Sequence, residues 1–152
     1  MKNYRCLQGQ FYQPPREDPW TGIIPVQESA APFVNWNERI AKECYGANAN
    51  SRILSGDGRI IDMVNNYQYI SFNFGPTLLD WLKTYAARVY QKVLDADKVS
   101  QDLQAGHGNA LAQGFNHVLL PLASEEDQKT QIYWGIEHFE YHFRRKPEGF
   151  WL

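Results

Sequence analysis

The stretch Tyr67-Gln-Tyr-Ile-Ser-Phe-Asn-Phe-Gly-Pro-Thr-Leu-Leu79 decides the fold. Tyr67–Phe74 is dense in aromatic and β-forming residues with an alternating pattern, the mark of a strand with one buried face. Gly75-Pro76 closes it, and proline suits the first turn of a helix because its missing N–H would have no partner there anyway. Leu78, Leu79, Leu82, Tyr85, Ala86, Val89, Tyr90 and Val93 then keep a 3.6-residue spacing through one long helix or two. A strand that turns directly into an amphipathic helix is the repeating unit of a parallel α/β fold.

The flanks repeat this unit. Asn3–Gln13 reads as a strand stopped by Pro14-Pro15, and Arg16–Phe33, with Trp20 in its middle, as a long irregular loop. Asn35–Tyr45 reads as a helix capped by Asn35, and Ser51–Met63 as a hairpin turning at Ser55-Gly-Asp-Gly58. Gln104–Asn116 is small and polar, and His117–Leu122 reads as a third strand. Ser124-Glu-Glu-Asp127 caps a helix carrying Ile132, Ile136, Phe139 and Phe143, and Gly149–Leu152 opens a fourth strand. The expected class is α/β with about four parallel strands and intervening helices. A chain whose last residues are an apolar new strand is expected to be part of a longer domain.

Composition narrows the function. The 152 residues suit one domain, and 15 Lys+Arg against 17 Asp+Glu give a net charge of −2. No positive field recruits nucleic acid or an anionic membrane, so neither is an expected partner. Five Trp, nine Tyr and eight Phe make 14% aromatic residues, enough for a large core or a surface that stacks on flat ligands such as sugars. Two cysteines, Cys6 and Cys44, make no disulfide framework, and the opening residues hold no apolar signal segment. The expected location is the cytoplasm.

Four histidines fall late in the chain: His107, His117, His138 and His142. His138 and His142, four apart, share a face of the last helix and can hold a metal only with a third ligand from elsewhere. Phe139 and Phe143 claim the core side, so the expected reading is a helix rim with no metal. Gly106-His-Gly-Asn-Ala110 lacks the preceding strand and final glycine spacing of a dinucleotide loop. His107 and Asn109 suit hydrogen bonding to a polar ligand. Trp81 and Trp134 sit within helices and read as packing, whereas Trp20 and Trp151 have ring faces free to meet a sugar. No carboxylate pair is recognisable as an acid/base dyad from spacing.

Several stretches resemble the N-terminal part of glycoside hydrolase family 57, in its subgroup with an uncharacterised C-terminal extension. They are Gly9-Gln-Phe-Tyr-Gln-Pro-Pro-Arg16, Pro19-Trp-Thr-Gly22, Ala30-Ala-Pro-Phe33, Trp36-Asn-Glu-Arg-Ile40, Asn65-Asn66, Ser71–Leu79, Gly106–Ala110, Asn116–Leu122 and Pro147–Leu152. The resemblance implies the N-terminal part of a seven-stranded (β/α) barrel that acts on α-glucans or other oligosaccharides by a retaining mechanism, without a cofactor. Gln13-Pro14 matches the first motif of the family, His117 the second, and His107 and Asn109 the subgroup's extension of it. Trp151-Leu152 matches the start of the third, so the nucleophilic glutamate is expected just after Leu152 and the acid further on. Glu148 precedes that motif and is not the nucleophile. This sequence has Gln8-Gly9-Gln10 where the family has His-Gly-His.

The implied substrate-binding set is Gln10, Gln13, Trp20, His107, Asn109, His117 and Trp151. The motif places the third strand from near Leu111 to near His117, with Gln10, Gln13, His117 and Trp151 on one concave surface, His107 at its rim and His138 and His142 away from it. The chain by itself is expected to be inactive. Two alternatives are a metal-dependent polysaccharide deacetylase using His138 and His142, and a non-catalytic carbohydrate-binding piece.

Overall fold

Residues 5–152 are described in a computed structural model. The first strand, β1 (Gln8–Phe11), alternates between open and covered positions, with Gln8 and Gln10 exposed and Gly9 and Phe11 half-buried. It is shorter than the expected Asn3–Gln13; Asn3 and Tyr4 lie outside the described residues. The Arg16–Phe33 segment follows as an irregular loop holding one short 3-10 turn, Glu28–Ala30. Asn35 then starts α1 (Trp36–Ile40) by accepting a hydrogen bond from the Glu38 backbone N–H at 2.9 Å. The helix widens through a π turn at Ala41–Tyr45 and continues as α2 (Gly46–Ala49).

Strands β2 (Ser51–Leu54) and β3 (Ile60–Val64) form the antiparallel hairpin read from Ser51–Met63, and Gly58, at φ +82°, makes the positive-φ turn that a side chain would oppose. β4 (Ser71–Phe74) passes through Gly75 into α3 (Pro76–Tyr85), and Ala86 breaks the helix before α4 (Ala87–Leu103). β5 (Ala112–Gln113), α5 (Glu125–Phe143) and β6 (Phe150–Trp151) complete the order. The Ser124 hydroxyl caps α5, accepting from the Asp127 N–H at 3.2 Å.

β1 pairs in parallel with β4, matching Gln10 with Asn73, and β5 pairs in parallel with β6, matching Gln113 with Trp151. A parallel bridge between Phe72 and Ala110 joins the two pairs. The parallel strands therefore lie in chain order, β1, β4, β5 and β6, as in a fold wound in one direction. The architecture is mixed α/β.

The expected strand His117–Leu122 does not form. The third parallel strand is Ala112–Gln113, and Leu120–Leu122 is a 3-10 turn. Pro121 cannot donate to a ladder, and Leu119 and Leu122 are 72% and 81% exposed, so this apolar run has no sheet face to bury.

The core lies between the parallel strands and the helices. Phe11, Tyr45, Tyr67, Phe72 and Phe74 meet ring to ring, with Phe11 stacked on Phe74 at 4.8 Å between centroids. Leu78, Leu79, Leu82 and Val93 are fully buried beside them. Asp97 on α4, also buried, receives both arms of the Arg145 guanidinium at 2.8 Å and the Ala110 N–H at 2.8 Å. That pair fastens the chain entering β5 to α4. Gly135 lets α5 lie against β5, because a Cβ there would sit 2.0 Å from the Gln113 carbonyl oxygen.

Candidate functional site

Strand alternation sends Gln8, Gln10, Asn73, Gln113 and Trp151 to the side opposite the aromatic core. Three of these amides form a ladder across β1, β4 and β5. Gln8 Nε2 donates to Asn73 Oδ1 at 3.0 Å, and Asn73 Nδ2 donates to Gln113 Oε1 at 2.6 Å. Asn73 and Gln113 are buried, and Gln113 Nε2 ends the ladder with no partner among the described residues. A buried donor left unpaired costs about 1–3 kcal/mol.

Beside the ladder, Gln10 Nε2 donates to His117 Nε2 at 2.6 Å. An amide nitrogen only donates, so His117 accepts there and carries its proton on Nδ1. Nδ1 has no protein partner among the described residues. The ring is held between Tyr12, 4.0 Å away between centroids, and Trp151, 5.1 Å away. His117 itself has φ +54°, the left-handed region that costs a non-glycine residue about 1–3 kcal/mol and that clusters at functional sites. The turn beneath it is fixed from α5, where the Gln131 side chain accepts from the Asn116 N–H at 2.7 Å.

The other residues singled out in the sequence go elsewhere. Gln13 is buried and donates to the Tyr45 hydroxyl at 3.0 Å. Burial pushes the Tyr45 hydroxyl pKa up despite that bond, keeping it protonated. Asn109 is buried and spent, accepting from Gln104 and donating to the Tyr67 and Gln68 carbonyls. His107 is exposed and pairs with Glu148 at 2.7 Å. Trp20 is 94% exposed on its loop. Tyr12 and the amides Gln113 and Asn73 were not singled out as ligand contacts. The available signal was the run of amides at strand positions where apolar residues are the rule.

A second group converges between helices. Asp80 on α3 meets His138 and His142 on α5, and these ligand atoms lie within 4.8 Å of one another. No hydrogen bond or ring contact among the described residues joins this group to Gln10, His117 or Trp151.

The fold is mixed α/β, and the strand face opposite its aromatic core carries a ladder of amides beside His117, Tyr12 and Trp151. The family model described as glycosyl hydrolase family 57 matches residues 16–152, nearly the whole chain, and the chain belongs to that family. No curated protein and no solved structure gives a significant match. The family makes it a glycoside hydrolase with a carbohydrate substrate. No helix among the described residues is long and apolar enough to cross a membrane.

Proposed function

We propose that Gln10, His117 and Trp151 form one wall of an α-glucan-binding cleft in a retaining glycoside hydrolase whose strands close into a (β/α) barrel. The observation that carries this reading is His117, fixed by Gln10 at 2.6 Å between two aromatic rings. Its Nδ1–H is free to donate to a sugar hydroxyl. The rings of Trp151 and Tyr12 offer apolar faces to the C–H side of a pyranose. Gln13 and Asn109 support the wall from behind by fixing Tyr45 and the entry to β5.

A retaining mechanism needs two carboxyl groups about 5–5.5 Å apart, one a nucleophile and one an acid/base. Neither is on this wall, which binds and orients the sugar while those groups face it. The test is titration of the chain with maltooligosaccharides, read by tryptophan fluorescence. Saturable quenching that His117→Ala and Trp151→Ala abolish, and that Trp20→Ala leaves intact, is the expected result. Quenching that survives both wall substitutions overturns the reading.

A further inference from the structure

Asp80 on α3 and His138 and His142 on α5 bring three metal-ligating side chains together. His142 Nε2 lies 3.0 Å from Asp80 Oδ1, His138 Nε2 lies 3.3 Å from Asp80 Oδ2, and the two Nε2 atoms are 3.0 Å apart. With both Nε2 atoms protonated, each can donate to its own Asp80 oxygen, at the cost of holding two ring nitrogens 3.0 Å apart; with the protons on Nδ1, three lone-pair groups converge.

We infer that Asp80, His138 and His142 bind a zinc-type divalent cation that clamps α3 to α5. A cation at the centre turns three converging lone pairs into three ligand bonds. Zinc takes nitrogen and oxygen ligands at about 2.0–2.2 Å; at that range, two ligands lie roughly 3 Å apart at a right angle and nearer 3.5 Å at the tetrahedral angle. The two imidazole nitrogens, 3.0 Å apart, fit this window, and each lies 3.0–3.3 Å from a different oxygen of the Asp80 carboxylate, so that one ligand atom from each residue comes within 4.8 Å of the others. Two imidazoles and one carboxylate select zinc-like ions over calcium or magnesium, which favour oxygen shells.

The surroundings fit. His142 Nδ1 lies 2.8 Å from the Tyr90 hydroxyl, which can accept its N–H and so leave Nε2 bare for metal, the outer-shell arrangement that orients ligating histidines. The His142 side chain is fully buried and that of His138 12% exposed, while Asp80 is 57% exposed and opens a path for the ion and a position for water. Lys83, one turn along α3, is engaged by the Tyr141 hydroxyl at 2.7 Å.

This site shares no residue with the proposed carbohydrate wall, so each stands or falls alone. The experiment is calorimetric titration of the chelator-stripped chain with Zn²⁺, paired with Co²⁺ titration read by visible absorption. One equivalent of Zn²⁺ with a raised melting temperature, and a tetrahedral Co²⁺ spectrum, are expected. Asp80→Ala and His138→Gln should each weaken binding by about a hundredfold or more, and Tyr90→Phe by about tenfold. Circular dichroism checks that the variants are folded. Absence of a Co²⁺ band in the wild-type chain, or stoichiometric Zn²⁺ binding that persists in a His138→Gln/His142→Gln double variant, overturns the proposal.

Discussion

Gln10 and His117 stand 107 positions apart in sequence and touch at 2.6 Å, amide nitrogen to imidazole nitrogen. The contact ties the exposed face of β1 to the turn that follows β5, reaching past β4, which lies between them in the sheet. It occupies one ring nitrogen of a histidine whose backbone is in the left-handed region, so the bond fixes both the tautomer and the aim of the ring.

Substituting Gln10 should therefore act through His117. Gln10→Ala removes one hydrogen bond, worth about 0.5–1.5 kcal/mol, from an exposed position. The expected outcome is a threefold to tenfold loss of maltooligosaccharide affinity with little change in the urea midpoint. Fluorescence titration and urea denaturation of the same variant separate the two effects.

Asp97 is expected to matter for stability far more than for binding. It is buried under Arg145 and holds the Ala110 N–H, so Asp97→Ala leaves a guanidinium and a backbone donor without their acceptor. Breaking a buried pair from one side costs about 3–5 kcal/mol, a large share of the stability of a small domain. Urea unfolding should show that loss, and replacing both partners by apolar residues should cost less than Asp97→Ala alone.

Gly135 should tolerate no side chain. An added Cβ would meet the Gln113 carbonyl oxygen at 2.0 Å, backbone against backbone, so α5 must retreat from β5. Overpacking of this kind typically costs about 1–3 kcal/mol. Gly135→Ala should lower the melting temperature although alanine is the better helix former, and should also weaken glucan binding, because Gln113 and the His117 turn rest on α5.

Local chemistry was legible in the sequence. The caps at Asn35 and Ser124, the Ser55–Gly58 turn and the Gly75-Pro76 junction each announce themselves through residues whose own side chains or backbone make the feature. β5 did not, because two residues, Ala112 and Gln113, carry no period, and the apolar run after His117 imitates a strand more convincingly. Only the motif resemblance moved that strand toward Leu111. The amide ladder was hidden for another reason. Gln8, Asn73 and Gln113 become neighbours only through cross-strand register, which no single strand encodes. His138 and His142 showed their shared face, but Asp80 joins them from α3 across 58 and 62 positions.

The wall should bind sugar without cleaving it. Three carboxylates are paired elsewhere: Glu148 with His107, Asp97 with Arg145, and Asp80 with His138 and His142. Among the described residues, no Asp or Glu hydrogen-bonds Gln10 or His117. His117 accepts from Gln10 at Nε2, which leaves it a donor at Nδ1 and no base for activating water there. Double displacement without a nucleophilic carboxylate has no covalent intermediate to form. The chain of residues 1–152 should therefore give no reducing ends above blank from starch, glycogen or maltodextrins, even at concentrations where fluorescence shows it saturated. Turnover by the pure chain, lost when an Asp or Glu within these residues is replaced by its amide, would show that a carboxylate reaches the wall after all.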